Sequence, residues 1–131
     1  VLNPSHRQPP PWKVTSGGTV SISKATAKVN GFRPEQIESD GAPLPKHASL
    51  TFEATTNVPH PYQIYWQVVN TGAEALQKGG LRGDFNLGTA SSGPISHGET
   101  TLYRGTHSIE CFIVKNGLLV ASSGQFIVNI E

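Results

Sequence analysis

The sequence predicts an all-β fold: an antiparallel, immunoglobulin-like β-sandwich of about seven to eight strands with one short helix. Short runs of alternating apolar and polar residues recur along the chain, which is the period of half-buried strands. Turn residues separate these runs at short intervals, with 14 glycines and 10 prolines among 131 residues. Only residues 71–79 carry both the start and the stop signals of a helix.

The composition restricts the classes of function. A chain of 131 residues is the size of one domain, which we divide into an extended N-terminal linker or edge segment at residues 1–18 and a sandwich at residues 19–131. The net charge of +1 provides no broad basic field, so we expect no DNA or RNA polymer as a partner. A single cysteine and the lack of an apolar run of spanning length favour a cytoplasmic domain.

The N-terminal third is predicted to hold one strand between two irregular segments. Residues 1–12, "VLNPSHRQPPPW", lack periodicity and contain a proline triplet, so we expect an extended segment anchored by Trp12. The stretch "TVSISKATAKV", residues 19–29, alternates as a strand and ends at an Asn-Gly turn. Residues 33–46 are predicted to form a loop with one helical turn at "PEQIE".

The middle third holds the two clearest strands and the helix. "SLTFEAT" and "YQIYWQVVN" both alternate, and the second places Trp66 and Val68 on one face. In "TGAEALQKG", Thr71 and Glu74 have the spacing of a capping box, and Gly79 or Gly80 supplies the stop.

The last third is predicted to end in a hairpin. "GDFNLG" and "ETTLYRG" are short strand candidates around a Gly/Ser-rich connection at residues 88–98. Asn116-Gly117 lies between two apolar runs, which is the strongest short-range hairpin signal, and "SSG" at residues 122–124 predicts a bulge in the second arm. Cys111 is expected beside Trp66 in the core, as a free thiol that packs like a small apolar residue.

Metal and catalytic chemistry have little support in the sequence. The five histidines are scattered without ligand spacing and the cysteine has no partner, so we expect neither a metal nor a cofactor. No nucleophile elbow, phosphate-binding loop or dinucleotide fingerprint is present. We therefore expect a domain that is not an enzyme.

Anion binding has more support. "KGGLRGD" surrounds Lys78 and Arg82 with glycines, which let backbone N–H groups approach a ligand while a guanidinium grips a phosphate. "YRGTH" adds a second group of donors in Tyr103, Arg104 and His107. The alternative is that the glycines only form turns and that Arg82 is solvated or paired with Asp84.

Aromatic and amide side chains could recognise a base. Tyr65 and Tyr103 are candidates for stacking, although sandwiches also place tyrosines on exposed strand faces. Gln67 and Asn70 could read the edge of a base through their amides, or Asn70 could cap the helix.

Several motifs, in order, resemble a known family. "PYQIYWQVVNTGAEA", "LRGDF" and "ETTLYRGTHSIECFIVKNGLLVASSGQFIVNI" resemble the signature of the AGS-C family, the adenylyl/guanylyl cyclase and SMODS-associated C-terminal sensor domain. The resemblance runs from Pro-Pro-Trp at residues 10–12 to the final strand, and it leaves "SHRQ" and residues 88–98 unspecified.

This resemblance implies a sensor in bacterial anti-phage defence of the Pycsar or CBASS type. The domain would bind a cyclic nucleotide, with a cyclic mononucleotide such as cCMP or cUMP favoured, and would activate a fused effector. Domains of this family lie either behind a cyclase-like nucleotidyltransferase or fused to an effector such as a membrane-spanning segment. In the second case the parent chain would carry transmembrane helices that hold the domain at the inner face of the membrane, and ligand binding could rearrange a homo-oligomer. The alternatives are an immunoglobulin-like interaction or oligomerisation module with no nucleotide ligand, and a carbohydrate-binding sandwich.

Overall fold

The computed structural model describes residues 1–89 and 94–131. In this part of the chain ten strands form two sheets, with one short helix. The elements are β1 Lys13–Val14, β2 Val20–Lys28, β3 Glu35–Gln36, β4 Ser49–Thr56, β5 Gln63–Val69, α1 Ala73–Gln77, β6 Phe85–Leu87, β7 Ile95–Thr100, β8 Gly105–Lys115, β9 Leu118–Ser122 and β10 Phe126–Ile130.

The two sheets confirm the predicted antiparallel sandwich. A six-stranded sheet has the order β1-β9-β8-β5-β6 with β10 also paired to β8, and a four-stranded sheet has the order β3-β2-β4-β7. All strand pairs are antiparallel except β1 with β9. Two of the strands, β1 and β3, have only two residues each, so the remaining eight agree with the predicted number.

The C-terminal hairpin forms as predicted. Asn116 and Gly117 both have positive φ, 53° and 76°, and they join β8 to β9 in a tight turn. The arm that returns along β8 is interrupted at Ser123, whose hydroxyl accepts a hydrogen bond from the Cys111 N–H and whose own N–H donates to the Cys111 carbonyl. This interruption is the predicted bulge, and it divides the arm into β9 and β10.

The core lies between the two sheets. Trp66 on β5 and Cys111 on β8 are directly opposite each other in register, and both are fully buried, as the sequence predicts. Phe52 from β4, in the four-stranded sheet, belongs to the same buried cluster. A large aromatic residue with a small polarisable neighbour thus fills the centre without a disulfide.

A second, smaller apolar cluster covers the outer face of the six-stranded sheet. Phe112, Val114 and Leu119 form its centre, and Trp12 packs on them together with Tyr65. The predicted role of Trp12 as an anchor is confirmed. Because the N-terminal arm, residues 1–12, lies on this face, parts of β5 and β8 are buried on both sides.

Two predictions of local structure outside the helix are wrong. "PEQIE" forms no helical turn: its central residues are β3, which pairs with β2, because the edge of β2 supplies backbone partners that an isolated turn would lack. The strand expected in "ETTLYRG" ends at Thr100, because Thr101 turns inward and its hydroxyl donates to the Pro45 carbonyl. Part of the expected connection at residues 88–98 is strand β7, while residues 90–93 lie outside the described part.

The helix is in the predicted place but has no capping box. Gly72 is the N-cap, and the Thr71 hydroxyl donates instead to the Thr106 carbonyl on β8. Glu74 forms an ion pair with Lys46 at 2.5 Å. Tertiary partners have therefore replaced the local ones, whereas the predicted stop at Gly79 is confirmed by its φ of 65°.

Candidate functional site

A pocket opens between the two sheets at the end where β5 and β7 finish and β8 begins. The cavity encloses about 80 Å³. Its floor is apolar and is formed by Leu50, Phe52, Ile109, Val128 and Ile130. Its rim is polar and includes Asn70, Arg82, Glu99, Tyr103 and His107. The fold therefore gathers four of the predicted site residues, from three separate segments of the chain, around one opening.

Arg82 reaches across the pocket mouth to the four-stranded sheet. Its Nη1 donates to Glu99 Oε1 at 2.6 Å, and its Nη2 lies 3.4 Å from Glu99 Oε2. The alternative prediction that Arg82 pairs with Asp84 is wrong, because its partner is Glu99. Glu99 in turn hydrogen-bonds His97, whose ring stacks on Trp66 with centroids 5.1 Å apart. The rim is thus connected through one carboxylate to the core.

The Glu99 carboxylate is held in its ionised form. Burial acts to raise its pKa, but hydrogen bonds from His97 and Arg82, together with the charge of Arg82, outweigh that effect and lower the pKa below its ordinary value. At neutral pH the rim therefore carries one guanidinium and one carboxylate in contact, with no net charge from the pair.

Asn70 braces the loop that carries Arg82. Its Nδ2 donates to the Gly80 carbonyl and its Oδ1 accepts from the Arg82 N–H. Its own carbonyl is 2.6 Å from Nε2 of His6 in the N-terminal arm. The amide predicted to read a base or to cap the helix is engaged in fixing the backbone at Arg82.

His107 connects the second predicted loop to the first. Its Nδ1 accepts from the Thr71 N–H at 3.3 Å, and its Nε2 donates to the Tyr103 carbonyl at 2.9 Å. This pairing requires the neutral tautomer that is protonated on Nε2. Burial lowers the pKa of His107, with the Tyr103 carbonyl opposing the shift.

Glycines allow these two loops to pack closely. The Tyr103 ring lies directly on Gly80, where a Cβ would be 2.5 Å from the ring edge. A Cβ on Gly105 would be 2.5 Å from the Thr71 carbonyl oxygen. Gly80 was expected to let a ligand approach the backbone, and in the structure it lets the Tyr103 loop approach instead.

Two predicted residues lie on the outer face of the six-stranded sheet. Tyr65 packs on Trp12 with ring centroids 4.6 Å apart. Gln67 is buried, and its Nε2 donates to the carbonyls of Gln8 and Gly83. Both side chains contact the N-terminal arm, on the opposite face of β5 from the pocket.

Lys78 and Arg104 are exposed and do not line the pocket. Lys78 is the C-cap of α1, and Arg104 donates its backbone N–H to Glu74 Oε1 at 3.3 Å. Both belong to loops at the pocket end of the sandwich.

The sequence reasoning missed Glu99 and His97. These residues are two positions apart on β7, so they share the face that looks toward the core. The alternation in "ISHGET" was the available signal, but the surrounding glycines and serines favoured a loop.

Replacement of His107 should change the pH dependence of stability. Because its pKa is lowered in the folded state, the unfolded chain binds the proton more readily, so stability is present above about pH 6.5 and falls as pH drops below that value. His107→Gln should flatten this part of the profile. Urea denaturation at a series of pH values measures it, with the exposed His60→Gln as control. An unchanged pH slope in His107→Gln would contradict the assignment.

Residues 1–89 and 94–131 contain no cluster of three or more His, Cys, Asp or Glu side chains arranged to hold a metal. None of their helices has the length and apolar character needed to cross a membrane.

The fold and the pocket together define a small β-sandwich module with a polar-rimmed opening between its sheets. The chain belongs to the Adenylyl/Guanylyl and SMODS C-terminal sensor domain family, whose sequence model matches residues 2–131. It is also similar to a Cyclic GMP-AMP synthase of Escherichia albertii, with 34% identity over 103 residues, which is 76% of this chain and 22% of that protein. The chain thus spans about a fifth of the length of that relative. The family suggested by the motifs is confirmed.

Proposed function

We propose that this domain senses a cyclic nucleotide that binds at the pocket between the two sheets. The observation that carries the proposal is the position of Arg82, a partly exposed guanidinium held by Asn70 at the mouth of an apolar slot. A guanidinium suits a phosphate, and an apolar slot suits the faces of a base. Membership in a family of sensor domains supports this role.

The size of the slot favours partial insertion of the ligand. The cavity of about 80 Å³ is far below the roughly 300–1,000 Å³ of pockets that enclose a whole small molecule. A single base would enter the slot in part, and the cyclic phosphate would remain outside on Arg82. Tyr103, which lines the same opening, is placed to contact the base or sugar. A slot of this size takes one base, which a cyclic mononucleotide such as cCMP or cUMP supplies, whereas a ring with two bases would keep its second base outside the slot.

The parent protein has two candidate forms. In one, the domain activates a fused effector, including a membrane-spanning one, in Pycsar- or CBASS-like defence. In the other, it is joined to an enzyme that makes the nucleotide, which the similarity to a cyclic GMP-AMP synthase favours. In both forms the domain itself contributes recognition, while the attached region contributes the response in the first form and the synthesis of the nucleotide in the second.

Arg82→Ala should weaken nucleotide binding by about 10- to 100-fold, because a hydrogen bond to a charged group contributes about 1.5–3 kcal/mol. Isothermal titration of the domain with a panel of cyclic mononucleotides and dinucleotides, cyclic GMP-AMP included, measures this effect. The control is Arg33→Ala, which removes the same charge from an exposed site outside this pocket. If no cyclic nucleotide gives heat or a shift in melting temperature with the unmodified domain, the proposal is wrong.

A second candidate function is an interaction or oligomerisation module. It is favoured by three exposed leucines at or beside the pocket end, Leu76, Leu81 and Leu102, which are 65%, 37% and 49% exposed. This function predicts a stable oligomer without ligand in light scattering, and no effect of Arg82→Ala on any nucleotide. The nucleotide sensor predicts that ligand and Arg82 both matter.

A further inference from the structure

The pocket rim presents a negatively charged carboxylate as well as a positively charged guanidinium to any ligand. Of the residues described around the opening, Arg82 and Glu99 are the charged ones, and they contact each other. His97 lies behind Glu99 on β7, and the neutral His107 faces the opening from β8. The Glu99 side chain is only 17% exposed, so it is fixed in place rather than free to turn toward solvent. An anion that reaches Arg82 therefore arrives next to a fixed carboxylate.

We propose that Glu99 is a specificity-determining residue, which makes this site accept a phosphodiester with one negative charge and reject a phosphomonoester with two. The proposal rests on the proposed function, because it concerns the same site and the same ligand class. It would explain how a sensor ignores linear nucleotides, which share their base and sugar with the cyclic form.

The reason is the charge balance at Arg82. A guanidinium has five N–H donors, and Glu99 occupies two of its nitrogens, so donors remain for a phosphate oxygen. The attraction of Arg82 and the repulsion of Glu99 nearly cancel at a short distance beyond the pair. Both the attraction and the repulsion scale with the charge on the ligand, so the pair gives a dianion no more net attraction than a monoanion. A dianion loses more hydration energy on entering the site, and no net positive charge at the site offsets that loss.

The low pKa of Glu99 supports this balance, because the carboxylate stays charged over the pH range in which a phosphomonoester gains or loses its second charge. The second proton of such an ester dissociates at about pH 6. A diester has no corresponding step. The two ligand classes therefore differ in charge at neutral pH and converge in mildly acidic solution.

Glu99→Gln tests the proposal with a change that preserves side-chain size and removes the charge, although it replaces one acceptor oxygen with an amide donor. Affinities are measured by titration for a 3′,5′-cyclic nucleotide and for the linear 5′-monophosphate of the same base at about pH 7.5. The unmodified domain should prefer the cyclic form, and Glu99→Gln should raise the affinity for the monophosphate by about tenfold more than for the cyclic form. The matched control is Glu53→Gln on β4, which removes an exposed carboxylate outside this pocket and should leave the ratio unchanged.

A second measurement needs no variant. The preference of the unmodified domain for the cyclic form should shrink as pH falls from about 7.5 to 5.5, because the monoester becomes a monoanion. The ratio of the two affinities is compared, because any effect of pH on the protein itself acts on both ligands. If the domain binds the cyclic nucleotide but Glu99→Gln and low pH both leave the ratio as it was, the role of Glu99 is refuted while the proposed function stands. If the domain binds no cyclic nucleotide, both fail together.

Discussion

Trp66→Ala is expected to lower the free energy of unfolding by about 3–5 kcal/mol, the range for truncation of a large aromatic residue in a core. Trp66 is 1% exposed and lies between the sheets, opposite Cys111 and against the ring of His97. Removal of the indole leaves a cavity that two hydrogen-bonded sheets cannot close by moving together. Since small domains are stable by only about 5–15 kcal/mol, this variant should be close to unfolding at 37 °C.

Trp12→Ala is the matched control, since it removes the same side chain from the outer cluster. Trp12 is half-buried, and the arm that carries it can shift, so its loss should have a clearly smaller effect. Urea denaturation followed by circular dichroism compares the two variants. Equal losses, or a larger loss for Trp12→Ala, would mean that the outer cluster rather than the space between the sheets dominates stability.

The strands could be predicted because their signal is local. Alternation of side chains between two faces is a property of each strand by itself, so Trp66 and Val68 were correctly assigned to one face of β5, which packs on the core. The Asn116-Gly117 turn is local as well, because its positive φ angles suit these two residues.

The helix cap could not be predicted, since it depends on tertiary contacts. Thr71 and Glu74 have the right spacing for a capping box, yet each side chain contacts a residue from a distant segment instead. Gln67 shows the same limit: its place on the polar face of β5 suggested contact with solvent or ligand, but the N-terminal arm covers it. Nothing in the local pattern of β5 indicates that cover.

In the candidate site, too, local features could be predicted from the sequence and tertiary contacts could not. Glycines around Arg82 marked the loop, but its ionic partner lies 17 residues further along the chain on a strand of the other sheet, where only the topology brings it close. Asp84 was the nearest acid in sequence and is not the partner. Asn70 and His107 were predicted as ligand contacts, and in the structure they hold the loops that carry Arg82 and Tyr103. It was thus easier to predict which residues lie at the pocket than to predict what each of them does there.

Gly83→Ala is expected to release the N-terminal arm from the pocket loop, with a loss of stability of about 1–3 kcal/mol, the range for overpacking. Gly83 is buried, and a Cβ there would overlap the carbonyl oxygen of His6. Its own carbonyl accepts hydrogen bonds from the Gln8 N–H at 3.0 Å and from Gln67 Nε2 at 2.8 Å. An added methyl group would separate these backbones and leave buried polar groups without partners.

The consequence for binding follows from position, because Arg82 immediately precedes Gly83 and shares its loop. Hydrogen exchange should show faster exchange at Gln8 in Gly83→Ala, and nucleotide affinity should fall even though no ligand contact has been removed. Gly98→Ala on β7 is the control, since a Cβ there meets only the Leu50 carbonyl oxygen at 3.8 Å, an ordinary contact. This control should retain or slightly raise stability, as an alanine in a strand restricts the unfolded chain. If Gly83→Ala matches the control in stability, exchange and affinity, then the arm does not hold Arg82 in place, and the loop is fixed by Asn70 alone.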